Sequence, residues 1–568
     1  MKMIRKHARL FLLCGSVMIL FLAGLATHAV RAGEAAGQFA LPVDHLLFTT
    51  STHCIACHSQ LKAADGTDIS IGYEWRASIM ANSARDPYWQ ASVRREIMDH
   101  PADAAAIEDK CATCHMPMQR FQARAEGLPG QVLKYLVGIR DGSASEEPDG
   151  ELENARDAKT ALAGDGVGCT LCHQILPGNL GKPSSLDGGF LVDTVKKPEE
   201  REVFGPYDHP DKGRQRIMHS STAFLPARGD HVKASELCAT CHTLLTDALD
   251  EAGKPAGTLP EQMPFQEWQH SAYAKTDSCQ SCHMTPVPGQ APITSVHPEQ
   301  HEGVMRHTFT GGNAFMLRIL KDKSAELGVI APPEELEASA QRSEKFLSEQ
   351  TASLSIANTR FGDGRLTFDV TVLNKAGHKL PTGYPARRVW LHVTVHDAQD
   401  RLVFESGALK RDGSIVGNDN DEDARKFEPH HPRITSADQV QIYESIMGDT
   451  KKRVTTGLLY ATQYLKDNRI LPRGFDKNTA DARIAVVGAA RQDPGFAGGS
   501  DSVTYDLAAA GSRSYRVTAE LYYESIGFRW AENLRAYRAG EPQRFVGYFQ
   551  KHAPDAGKLL ARSSRILN

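Results

Sequence analysis

Five copies of one short pattern carry the chemistry of this 568-residue chain. Each reads Cys-x-x-Cys-His: Cys54/Cys57/His58, Cys111/Cys114/His115, Cys169/Cys172/His173, Cys238/Cys241/His242 and Cys279/Cys282/His283, numbered here as motifs 1 to 5. Two thiols three positions apart can add to the two vinyl groups of one porphyrin as thioethers. The adjacent His then presents an imidazole nitrogen to the iron. A zinc ribbon would pair two Cys-x-x-Cys knuckles on one metal and gives no reason for a His after each knuckle. A redox dithiol would not recur five times. Disulfides find no free cysteine, because ten of the 11 fall in the motifs and Cys14 sits in an apolar N-terminal run. The pattern therefore predicts five covalently bound haem c groups, with the ten motif cysteines as attachment points. His58, His115, His173, His242 and His283 are the expected proximal iron ligands.

The ligand on the far side of each iron decides what a haem does. A second His makes a low-potential six-coordinate carrier, a Met raises the potential, and an open position admits substrate. Five residues stand out as distal candidates. Met80 closes Trp75-x-x-Ser78-x-Met80, which recurs imperfectly as Trp268-x-x-Ser271-x-Tyr273. A thioether at Met80 would suit iron, whereas Tyr273 is expected to donate a hydrogen bond beside a ring. His307, in RHTFTGGNAFML, precedes the pair Gly311-Gly312, which would let backbone approach a flat group closely. His378 lies in a loop from Gly377 to Gly383 stiffened by Pro381, from which it could reach across to a haem. His219 and His231, the latter seven residues before Cys238, complete the set.

The elements that must position these groups differ between the two halves. Motifs start 57, 58, 69 and 41 residues apart, so each haem has little chain to itself. Porphyrins must then supply much of the core of residues 33–312, a mostly helical or irregular pentahaem domain. Short helices are expected mostly after each attachment site. Residues 313–352 read as a helical connector: a helix over 313–328, a break at Pro332-Pro333, and a second helix over 334–350. From residue 353 the apolar period becomes two. Leu366, Phe368, Val370 and Val372 alternate with polar residues, as do Val389 to Val395 and Tyr515 to Tyr523. Residues 353–568 are accordingly expected to form an antiparallel β-sandwich with a helical tail, giving an α+β multidomain chain.

Residues 1–32 look like an address. Lys2, Arg5, Lys6 and Arg9 precede an uncharged run from Leu10 to Ala26 and a small-residue exit at Val30 and Ala32. That is the signature of a cleaved signal peptide, with an N-terminal membrane anchor as the rival reading. Cleavage would move the formal net charge from -4 to -9, since this segment holds five basic and no acidic residues. With 65 basic against 69 acidic residues overall, nothing indicates nucleic-acid binding. No Ser/His/Asp order, P-loop or Rossmann glycine pattern points to another cofactor. The acidic run Asn418–Asp423 lacks the glycine and distal Glu of a calcium loop and reads as a solvated turn.

Three segments carry a family resemblance: EWQHSAYAKTDSCQSCHM, RHTFTGGNAFML and AGHKLPTGYPARRVWLHV. From about residue 50 onward the chain resembles the multihaem c-type cytochromes of the cytochrome c-554/c-prime superfamily. Within it, the chain resembles a long subgroup with a C-terminal β-rich domain. The resemblance implies periplasmic electron transfer, with multihaem hydroxylamine-oxidising enzymes among the relatives. Nitrite-reducing relatives replace one motif His by Lys, and here all five end in His. Where the family's W-x-x-S-x-H pattern places a distal His, this chain has Met80 and Tyr273.

The expectation is thus a periplasmic pentahaem cytochrome relaying electrons between respiratory partners, either other cytochromes or quinol-oxidising complexes. The cytochrome c maturation machinery would attach its haems, and its acidic surface would meet a basic patch on a partner. Peripheral membrane association fits an exported protein. The alternative is a multihaem oxidoreductase acting on a small nitrogen or sulfur compound at an open haem.

Overall fold

The computed structural model describes residues 45–140, 155–209, 211–509 and 514–567. The expected signal peptide, residues 1–32, lies outside the described residues. Among the described residues no helix is long and apolar enough to cross a membrane.

In the first half the motifs themselves are helical turns. Cys54 lies in Thr52–Ile55, Cys238 in Ser235–Ala239, and motif 2 ends the helix Ala104–His115. Motifs 3 and 5 form the short helices Cys169–Cys172 and Cys279–His283. This corrects the expectation of helices mostly after each motif. The cause is local: residues three apart in a helix share a face, so one turn brings both thiols to the same side. Other helices frame these turns, among them α1 (Ile71–Arg76), α2 (Pro87–Asp99) and α3 (Pro264–Gln269). Helix α2 begins with Pro87 behind Asp86, whose carboxylate accepts from the amides of Tyr88 and Trp89. Strands are few here: a parallel pair (Glu202–Gly205 with Leu225–Arg228) and two hairpins, the longer pairing Leu244–Leu249 with Pro255–Gln262.

The connector holds α4 (Ala314–Asp322) and α5 (Pro333–Phe346), which pack on each other. The first expected helix breaks at Lys323 and ends at Gly328, whose φ of 65° is the left-handed conformation that stops a helix.

The second half holds a smaller three-stranded sheet of Val454–Thr455, Ser445–Gly448 and Gln463–Asp467, and a sandwich of two sheets. One runs β1 (Ala352–Gly362), β2 (Arg365–Asn374), a long strand Ser500–Ala508 and the short strand Arg433–Ile434. The other orders Leu402–Ser406, Arg388–Asp397, Tyr515–Glu524 and Lys558–Leu567, with Ile442–Tyr443 also pairing to Arg388–Asp397. The predicted alternation holds: Leu366, Phe368, Val370 and Val372 point into a core shared with Val389, Leu391, Val393, Val395, Val517, Ala519 and Leu521. Two details depart from expectation. Arg433–Ile434 pairs parallel to Thr504–Tyr505 in an otherwise antiparallel arrangement. The tail is only partly helical, because Lys558–Leu567 returns as a strand on Tyr515–Glu524.

Between those strands, α6 (Gly540–His552) leaves the sandwich and packs on α2. Phe545 meets Tyr88 edge-on at 5.0 Å, and Arg94 pairs with Glu541 at 2.9 Å. One apolar cluster contains Tyr88, Phe315, Met316, Trp530 and Phe545, so the two halves share a core. The acidic run is no solvated turn either: Asp421 is buried, and both its carboxylate oxygens accept from Arg388 Nη1, at 2.8 and 2.9 Å.

Candidate haem-binding cavity

A connected cavity of about 1580 Å³ runs through the first half and reaches the sandwich. All ten motif cysteines and all five motif histidines line it. Cysteines of different motifs lie side by side there: Cys54 beside Cys169, Cys114 beside Cys241, and Cys238 beside Cys279. The Cys172 and Cys241 thiols also lie within electrostatic range of each other. Spatial order is therefore 1–3–4–5, with motif 2 beside motif 4. It does not follow chain order.

Four of the five motif histidines are oriented by backbone carbonyls. His58 Nδ1 contacts Ile293 O at 2.6 Å, His173 Nδ1 contacts Phe204 O at 2.6 Å, and His283 Nδ1 contacts Thr310 O at 2.6 Å. His115 Nδ1 contacts Ser83 O at 3.1 Å, and its ring stacks on Trp89 at 4.5 Å. A carbonyl only accepts, so Nδ1 must carry the proton and Nε2 keeps its lone pair. This is the arrangement metal-ligating histidines use.

Two further histidines share that arrangement and face motif histidines. His307 sits opposite His173 with ring centres 6.4 Å apart and planes at 18°. His378 sits opposite His283 at 6.2 Å and 11°. Their Nδ1 atoms lie 3.2 Å from Met305 O and 3.0 Å from Lys379 O. Two imidazoles sharing one metal through bonds of about 2.0 Å have centres roughly 6.3 Å apart. The residues present therefore fit a metal-centred group at both places. Burial pushes His307 down to about 3, and His378, His115 and His242 to about 4, which keeps all four imidazoles neutral and able to ligate.

The other candidates stand elsewhere. His219 Nε2 lies 2.8 Å from Glu199 O and His231 Nε2 lies 2.8 Å from Ile175 O, so in both the ring nitrogen needed for iron is occupied. Neither lines the cavity. In this arrangement both rings are directed at backbone carbonyls and away from the space the motifs share. Met80 lines the cavity, and its carbonyl accepts from the amides of Val167 and Ser83. Tyr273 also lines it and donates its hydroxyl to Lys375 O at 2.8 Å, three residues before His378. The paired glycines divide their work. A side chain at Gly312 would strike the Tyr523 hydroxyl at 2.6 Å, whereas one at Gly311 would meet nothing within 4 Å. Sequence reasoning missed Glu74, Glu267 and Arg387. All are polar residues common on surfaces, and only their burial or place at the cavity distinguishes them.

No family model and no curated protein matches the chain. Among solved structures it is similar to a penta-heme cytochrome c552 from Thermochromatium tepidum, with a TM-score of 0.51 and 16% identity. The match covers 92% of this chain and 100% of that one. At this identity the likeness is one of fold.

Proposed function

We propose that this chain is a multihaem c-type cytochrome which holds five covalent haems and passes electrons among them to and from redox partners outside the cytoplasm. The observation that carries the reading is the convergence of all five motifs on one cavity. The penta-heme cytochrome that shares the fold supports it. Haem c supplies reversible one-electron exchange between ferric and ferrous iron. The chain's residues do the rest. Each Cys pair would anchor a haem and each motif His would ligate its iron, His58, His115, His173 and His283 through the Nε2 left free by a carbonyl-bound Nδ1. His307 serves as second ligand at motif 3 and His378 at motif 5. Met80 remains the candidate thioether for one of the other irons. The adjacency of motifs 1–3–4–5 gives electrons a continuous path, with motif 2 as a branch at motif 4.

Redox proteins are the partners this reading calls for, and an acidic mature surface favours partners with a basic patch. The test is direct. A pyridine haemochrome assay on purified protein is expected to return five haems per chain, and a different count overturns the reading.

One observation favours a second reading. Among the described residues no second imidazole faces His58, His115 or His242 as His307 faces His173. An open iron at one of these would suit an oxidoreductase for a small nitrogen or sulfur compound. Electron paramagnetic resonance of the oxidised protein separates the two. A high-spin ferric signal that shifts with nitrite, hydroxylamine or sulfite supports the enzyme, and wholly low-spin iron supports the relay.

A further inference from the structure

The Trp-x-x-Ser repeat extends one residue upstream, to Glu74-Trp75 and Glu267-Trp268. Each pair lies on a six-residue helix, α1 or α3. The copies also match in local bonding. The Ser amide donates to the Trp carbonyl at 2.9 Å in both, and the Ser hydroxyl accepts from the amide two or three residues on.

The two indoles make equivalent contacts. Trp75 Nε1 donates to Val167 O at 2.9 Å, and Trp268 Nε1 donates to Asp277 O at 2.9 Å. Val167 stands two residues before Cys169, and Asp277 two residues before Cys279. Each Trp thus holds the chain entering one attachment motif, motif 3 or motif 5.

The two carboxylates make equivalent contacts on the other side. Glu74 Oε2 accepts from the His307 amide at 3.0 Å. Glu267 Oε2 accepts from the Lys379 amide, the residue after His378, at 3.1 Å, and from the Thr382 hydroxyl at 2.5 Å. Both glutamates are buried, at 6% and 0% exposure, and each has an arginine counter-charge. Arg306 pairs with Glu74, and Arg469 Nη1 lies 3.0 Å from Glu267 Oε1. The correspondence is consistent. The Trp of each pair grips the motif whose histidine faces the very histidine whose loop the Glu grips.

We propose that Glu74-Trp75 and Glu267-Trp268 are two copies of an axial clamp, each a pair of positioning residues that spans one haem. The Trp fixes the attachment side and the neighbouring Glu fixes the loop of the distal histidine, His307 or His378. Because the two side chains spring from adjacent residues of one short helix, the separation of proximal and distal imidazoles is set within a single rigid element. A buried carboxylate suits this task. It accepts a charge-assisted bond from a loop amide and is itself held by an arginine, so the loop cannot swing away without leaving the charge unpaired. The proposal rests on the ligation reading above.

The test uses the haem-loaded full chain and follows displacement of distal ligands by carbon monoxide in the ferrous protein. His307→Ala and His378→Ala are each expected to add one rapidly CO-binding haem per chain. If neither does, the ligation reading fails whatever the glutamates do. Glu74→Gln is expected to speed CO displacement of His307 about tenfold or more, from the usual worth of a hydrogen bond to a charged group, and to leave the His378 haem unchanged. Glu267→Gln is expected to do the reverse. The pairing gives a readout that general destabilisation would not move. The Glu74→Gln effect should vanish in a His307→Ala background and persist in a His378→Ala background. Trp75→Phe and Trp268→Phe keep an aromatic side chain but remove the indole N–H together with part of the ring volume, and are expected to show the same pairing if a glutamine variant fails to fold. Equal effects on both haems, or a lowered melting temperature with unchanged displacement rates, would overturn the clamp while leaving the ligation reading intact.

Discussion

In the sandwich, Phe368 stacks on Tyr505 with ring centres 5.1 Å apart and planes at 1°, inside a core to which both sheets contribute. In the first half, the ring pairs that matter are His173–His307 and His283–His378, held at 6.4 and 6.2 Å around a cavity of about 1580 Å³. The sandwich buries its own side chains against each other. The first half arranges small apolar clusters around a space that its thiols and imidazoles share. One half fills its interior with its own side chains. The other directs its thiols and imidazoles inward to a shared space. The halves meet where the sandwich lends a loop to the cavity, and a buried charge network secures that loop. Lys379 Nζ bonds Asp467 at 2.7 Å, Arg469 bonds Asp467 at 2.7 and 2.9 Å, and Arg469 reaches on to Glu267.

This contrast can be broken in a graded way. The largest effect is expected from Cys279→Ala/Cys282→Ala. The haemochrome count should fall from five to four, and limited proteolysis should open the segment around motif 5 while strands of the sandwich core stay protected. If both halves become equally sensitive, the sandwich has no independent stability. Next is Asp467→Asn, which leaves the fully buried Lys379 and the arginine beside it without their shared carboxylate. Breaking a buried network from one side costs about 3–5 kcal/mol, read as a loss of denaturant midpoint. A similar cost of about 3–5 kcal/mol is expected for Phe368→Ala from cavity creation, with the haem count unchanged.

A smaller effect follows from pH. Burial would raise Asp467, but Arg469 and Lys379 prevail and hold it down at about 2. The unfolded carboxyl takes up its proton near 3.8, so this group's stabilisation is complete above that pH and is lost as pH falls towards 2. Denaturant midpoints of the native chain should therefore drop between pH 4 and 2 more steeply than those of Asp467→Asn. Equal slopes would show that the network contributes nothing through this carboxylate. The smallest effect is expected at Glu251, which pairs with Lys451 and Arg453 across the halves yet is 55% exposed. Glu251→Gln should change stability by under about 1 kcal/mol, and less at high salt.

How much of this was legible follows the range of each interaction. Trp390 shows the limit in the β half. The period of two places it with His392 on the strand face opposite the Val389–Val395 core residues, yet it is fully buried, donating to Gly407 O at 2.9 Å beneath Ile415, Val440 and Ile442. Loops from elsewhere in the chain cover that face, and strand periodicity carries no record of them. At the cavity, His378 and His231 look alike as sequence, each a His near turn-forming residues. One Nδ1 binds a neighbouring carbonyl and frees the opposite nitrogen for the cavity, while the other ring spends Nε2 on Ile175 O.

The sequence by itself determined the attachment chemistry, because a thiol, two residues, a thiol and a histidine form a complete unit within one helical turn. It also determined the strands, because alternation is a local property of a chain with one buried face. Only the tertiary structure decided which histidine faces which motif, the order 1–3–4–5 with motif 2 beside 4, and the roles of Glu74 and Glu267. Those pairings join residues up to 233 positions apart. Nothing local distinguishes a glutamate destined for a buried amide from one that stays in water.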